Sequence, residues 1–145
     1  MANWHFVMPY DDAAADWLAQ QGYPHSPARA GNRLPSWAEV EQVVRRLGLP
    51  ADAPLVVDLA GDGETLKVRG DMLLELRVVR GLCDRCGQLW VYPDCGSPAI
   101  LIEASSSPEA VAAAWEASLA AEDSWRAFHE RTRSASQGTL FPGDL

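Results

Sequence analysis

No stretch of the 145-residue chain reaches the roughly 18 consecutive apolar residues that a membrane-crossing helix requires. The opening residues, Met1-Ala-Asn-Trp-His5, lack the basic cluster and apolar run of a secretory leader. Cysteine is scarce, and three residues cannot pair completely within one chain, so a reducing, cytoplasmic setting without disulfides is expected. Basic side chains are also few: 12 Lys and Arg stand against 20 Asp and Glu, a net charge of -8. Charge of that sign repels phosphates and anionic lipid, which argues against direct nucleic-acid binding and against a membrane partner. Two catalytic signatures are missing as well. Gly61-Asp62-Gly63 lacks the third glycine and the following helix of a phosphate-binding loop, and His5, His25 and His129 have no nucleophile-elbow serine or cysteine beside them.

What is present is an ordinary globular composition, 48% hydrophobic and 22% charged. It predicts a single domain over residues 1–133 followed by a flexible tail, 134–145, that carries Gly, Pro and Ser without periodicity. The aromatic segment Trp4-His-Phe-Val-Met8 reads as a short strand or a strap. A first helix is predicted over 13–21, opened by Asp11 or Asp12 and stopped by Gly22, with Trp17 and Leu18 inward. Residues 23–35 read as an unusually long loop, of the kind that often forms a binding surface. Ser36 and Glu39 have capping-box spacing, and Val40, Val43, Val44 and Leu47 continue one apolar stripe to Gly48.

From Leu55 onward the period changes. Strands are predicted at 55–58, 64–69, 72–79, 89–92 and 99–102, joined by short turns at Gly61-Asp-Gly63 and Gly70-Asp71. Ser107-Pro108-Glu109 opens one long helix to about Arg133. The expected class is α+β: an antiparallel sheet of about five strands over residues 55–103, packed by two N-terminal helices and one long C-terminal helix.

Two motifs carry chemical interest. Cys83-Asp-Arg-Cys86-Gly87, placed between predicted strands, together with Asp94-Cys95-Gly96, resembles part of a zinc ribbon, in which two cysteine-glycine turns supply four tetrahedral ligands. Tyr92 stands where the fourth cysteine would be, so no cofactor is expected, and zinc at Cys83, Cys86 and Cys95 is the alternative to reduced thiols in a turn. In the tail, Gln137-Gly-Thr-Leu140-Phe141 resembles the Gln-x-x-Leu-Phe peptides with which bacterial replication and repair proteins dock on the sliding clamp. That resemblance implies Leu140 and Phe141 as apolar anchors and Gln137 as the orienting residue.

The leading expectation is a non-enzymatic acidic inhibitor of the toxin-immunity or phage-inhibitor type that covers a basic site on a partner protein. Tyr23 is the expected aromatic anchor, with Asp58, Asp62, Glu64 and Asp71 supplying the negative potential. A zinc-bearing accessory of DNA replication or repair, docked through the tail, is the second reading. A small enzyme whose site forms only on folding is the third.

Overall fold

The computed structural model describes residues 4–23, 25–50, 52–60, 65–93, 99–122 and 124–136. The chain order of its elements is β1 (His5–Pro9), α1 (Asp12–Gln21), α2 (Trp37–Arg46), β2 (Leu55–Ala60), β3 (Thr65–Gly70), α3 (Met72–Cys86), β4 (Leu89–Pro93), β5 (Ile100–Ile102), α4 (Pro108–Ala120) and α5 (Trp125–Ser136). The α+β class expected from the sequence is the class observed, with a five-stranded antiparallel sheet ordered β2-β3-β1-β4-β5. None of the described helices is long and apolar enough to cross a membrane.

Strand β1 lies at the centre. His5 pairs with Val68 on one side and Pro93 on the other, and Val7 pairs with Leu66 and Val91. The chain leaves β1 through α1, the long loop and α2, and reaches β2 one strand away, with β3 filling the gap. It then leaves β3 through α3 and reaches β4 on the far side of β1. Two split β-α-β units thus interleave on one sheet, and β5, α4 and α5 extend it.

Local chemistry places the first helices. The Asp11 carboxylate accepts from the Ala14 amide and Gly22, at φ 70°, ends α1 in the left-handed conformation that glycine adopts without strain. The Ser36 hydroxyl accepts from the Glu39 amide while Glu39 accepts from the Ser36 amide, completing the capping box of α2.

Two predicted elements are corrected. Residues 72–79 are helix, not strand: they open α3, which Asp71 caps by accepting from the Leu74 amide at 3.2 Å. Leu76, Val78, Val79, Leu82, Cys83 and Cys86 are all buried, because α3 is covered by the sheet, by α2 and by α4. The polar face of α3, Arg77, Arg80, Asp84 and Arg85, lies mostly beyond its first turns, and within those turns Leu73 and Leu74 add apolar residues off the buried stripe, so the run 72–79 reads as a strand. Gly70 is a close approach rather than a hairpin residue, since a Cβ there would collide with the Pro54 carbonyl oxygen. Strand β1 takes the place in the sheet that 72–79 was expected to fill. The predicted long C-terminal helix is two helices: Glu122 turns the chain at φ 51°, and Ser124 restarts it by accepting from the Ala127 amide at 3.2 Å. The reversal lets α5 pack back on α4 and on β5.

The main core lies on the helix-covered face, where Val7, Leu66, Val68, Leu89, Val91, Ile100 and Ile102 of the sheet meet α2, α3, α4 and Phe128 of α5. A smaller cluster on the opposite face joins Tyr10, Ala15 and Leu18 to Trp90, Leu101 and Tyr23.

Candidate partner-binding groove

The long loop is held by a polar network in addition to the packing of Tyr23, Ala28 and Leu34 on the two apolar clusters. Gln88, buried at the start of β4, accepts at Oε1 from the Arg29 amide at 2.8 Å and from Asn32 Nδ2 at 2.9 Å. Its Nε2 donates to Glu103 Oε1 at 2.7 Å and to the Pro27 carbonyl at 3.3 Å. Asn32 returns the contact, its Oδ1 accepting from the Gln88 amide at 2.9 Å. The buried Tyr10 hydroxyl donates to the Ser26 carbonyl at 2.7 Å, and burial pushes that phenol up to about 12. The Arg33 guanidinium forms a two-point contact with Glu39, both distances 2.8 Å, and lowers that carboxyl to about 2. Each buried polar atom of Gln88 therefore has a partner, the condition under which such a network rigidifies a loop.

Between this fixed loop and α1 lies an open groove of about 310 Å³, lined by Asp12, Ala15, Asp16, Ala19, His25, Pro27 and Ala28. The alanines of α1 and the small loop residues let the two walls approach, and the groove surface is about evenly polar and apolar. Asp12 and Asp16, one helical turn apart, put two carboxylates on one wall. His25 Nδ1 lies 3.0 Å from the Tyr23 carbonyl, which accepts the hydrogen bond from that nitrogen. Trp17, 40% exposed, stands beside Asp16 on α1 and meets the Tyr23 ring edge-on at 6.1 Å.

Glu39, Glu41, Asp84 and Glu109 are each within ion-pair distance of an arginine, whereas Asp12 and Asp16, like the exposed Asp52, Glu116 and Glu122, form no ion pair with a described residue. The positive end of the α1 dipole accommodates Asp12 in the first turn, but its effect has fallen off by Asp16. A like-charge pair at this spacing costs about 0.2–0.5 kcal/mol.

The sequence-predicted residues are dispersed. Tyr23 is half-buried, stacked on His129 at 4.8 Å, with the Arg126 guanidinium 5.9 Å from its ring centre. Asp58 lies on β2, on the other side of the sheet's central strand from Trp90 and Tyr23, with Lys67 Nζ 4.0 Å away. Asp71 caps α3. Asp62, Glu64, Cys95, Gln137, Leu140 and Phe141 lie outside the described residues. Trp17, expected inward, is partly exposed, while Leu18 is buried as expected. Asp12, Asp16 and His25 were missed as a group. The acid-to-acid spacing of four beside a tryptophan was the available signal, but the loop that completes the groove is placed by Gln88, some sixty residues further on.

Cys83 and Cys86 sit in the last turn of α3, not in a hairpin turn, and both are buried. Cys83 Sγ lies 3.5 Å from the Ile102 carbonyl as a donor, and burial pushes its thiol up to about 12 and the Cys86 thiol upward as well. A metal ligand has to be the thiolate, which this setting disfavours. No group of three metal-ligating side chains occurs among the described residues.

Among the described residues a histidine meets a carboxylate at His5 and Glu75, where Nδ1 and Oε2 are 2.6 Å apart. Glu75 is fully buried and its Oε1 has no partner among the described residues. The His5 ring packs 6.0 Å from Trp115. No described hydroxyl or thiol hydrogen-bonds to either group, so the pair lacks the nucleophile that would complete a catalytic triad. It joins the central strand to α3.

Comparison with known proteins adds no identification: no family model matches the chain, and no match is found among curated proteins or solved structures.

Proposed function

We propose that the protein is a non-enzymatic acidic binding protein that covers a basic site on a partner protein, in the manner of a toxin-immunity or phage-encoded inhibitor. The observation that carries this reading is the groove between α1 and the loop, where the carboxylates Asp12 and Asp16 share one wall without an ion pair to a described residue. A lysine or arginine from the partner enters between the two carboxylates, and its aliphatic stem rests on the alanine floor. Trp17, exposed on a neighbouring face of α1, adds aromatic area outside the groove that the partner can cover. The net charge of -8 steers a basic partner toward this surface and discriminates against acidic ones.

The test is affinity capture from the native cell with two baits, the natural chain and an Asp12→Lys/Asp16→Lys variant whose fold is confirmed by thermal unfolding. The natural chain is expected to retain a basic protein that the variant loses. Recovery of the same proteins by both baits would rule out the groove as the contact.

A further inference from the structure

The two edges of the sheet are unlike. Strand β5 has three residues and α5 packs on it. Strand β2 has six, pairs with β3 without a break from Leu55↔Gly70 to Ala60↔Thr65, and meets no described strand on its outer side. Proteins protect a long open edge with proline, lysine, a bulge or a covering element. The β2 sequence Leu-Val-Val-Asp-Leu-Ala has no proline or lysine and a single charged residue, Asp58, its unbroken register leaves no bulge, and Val56 is 45% exposed. Beside this edge, an open groove of about 340 Å³ runs between β2 and α2, with Val44, Leu55 and Val57 in its lining and Trp37, 48% exposed, at one end.

We infer that this edge and groove are the contact between two copies of the chain, with β2 pairing antiparallel to β2 across a two-fold axis. Charge selects this patch for a second copy. A net charge of -8 opposes self-association over the surface as a whole, but here each acid has a base nearby: Glu41 is 3.7 Å from Arg45 and Asp58 is 4.0 Å from Lys67. Arg69 adds a positive charge opposite Val56. The two-fold brings together rims that each carry one acid and one base, so neither rim repels the other.

The register follows from the side-chain alternation. A two-fold normal to the sheet keeps every residue on its own face, so Leu55, Val57 and Leu59, which pack toward the main core, must meet one another. Centring the pair on Asp58 sets two carboxylates directly opposite, which is unfavourable. Centring it on Val57 pairs Val57 with itself and Leu55 with Leu59 on the helix side. On the other side it sets Val56 of each copy against Asp58 of the other. The second register is the one selected, and it continues the sheet from five strands to a single sheet of twice that number.

Sedimentation velocity over a concentration series tests the contact. Val56→Glu places two extra carboxylates against the two Asp58 side chains of the dimer, while within its own chain the new glutamate faces Arg69, so the fold is not disfavoured. The dissociation constant is expected to rise about tenfold in Val56→Glu, to return when Asp58→Asn is added, and not to rise in Val56→Lys. Trp37→Lys, at an exposed helical position, is expected to weaken the dimer independently. A natural chain that stays monomeric to millimolar concentration overturns the inference. So do Val56→Glu and Val56→Lys variants that dimerise equally well.

Discussion

His129 is enclosed by aromatic rings from four parts of the chain: Tyr23 stacked at 4.8 Å, Trp90 parallel at 6.4 Å, and Trp17 and Phe128 edge-on. Its Nε2 has no partner among the described residues, and burial lowers its pKa from 6.5 to about 4. Between those values the folded chain keeps the ring neutral while the unfolded chain takes up a proton. The stability that this ring contributes is present in full above about pH 6.5 and is lost as the pH falls toward about 4. The shift corresponds to about 3 kcal/mol. Urea unfolding across that window is expected to show the loss in the natural chain and to show it strongly reduced in His129→Phe. At neutral pH the phenylalanine variant is expected to be at least as stable, because an apolar ring replaces a buried unpaired nitrogen.

At the scale of the element, α2 and α3 pack closely because Gly81 lacks a side chain. A Cβ at Gly81 would lie 2.7 Å from Val43 Cγ1. Gly81→Ala gains about 1 kcal/mol of helix propensity but forces a methyl against a stiff, β-branched neighbour, and overpacking of this kind costs about 1–3 kcal/mol. The cost prevails: a net loss on the order of 1 kcal/mol is expected in denaturant unfolding. Adding Val43→Ala removes the clash, so the double-mutant cycle is expected to show a favourable coupling of about 0.5 kcal/mol or more. Two additive losses would mean that the helices shift apart instead. The start of α3 was illegible in the sequence. Its buried residues Glu75, Leu76, Val79, Leu82, Cys83 and Cys86 do keep helical spacing, but the half-buried Leu73 and Leu74 lie off that stripe, so the short run 72–79 carries apolar residues on every side and imitates a strand.

For the whole molecule, charge is the dominant long-range property. An excess of eight negative charges acts over roughly a Debye length, about 8–10 Å at moderate salt. Association with a basic partner is therefore expected to slow as ionic strength rises, while dissociation changes less, which stopped-flow mixing at two or more salt concentrations would measure. An association rate independent of salt would contradict electrostatic recruitment. The dimer contact is expected to respond differently, because its charges are balanced within each copy.

What the sequence by itself determined lies within reach of three or four residues: the cap at Asp11, the stop at Gly22, the capping box of Ser36 and Glu39, and the start of α4 at Ser107 and Pro108. Each is a bond or a backbone restriction between neighbours, and neighbours are what a sequence states. Composition likewise set the sign of the surface charge. Tertiary structure decided the rest. β1 is central because its residues meet Leu66–Val68 and Leu89–Pro93, at least 59 positions away. The C-terminal helix divides so that α5 can reach α4 and β5. The groove exists because Gln88 holds the loop over α1. Contacts at such separations depend on which surfaces fold against each other, and no local pattern encodes that choice.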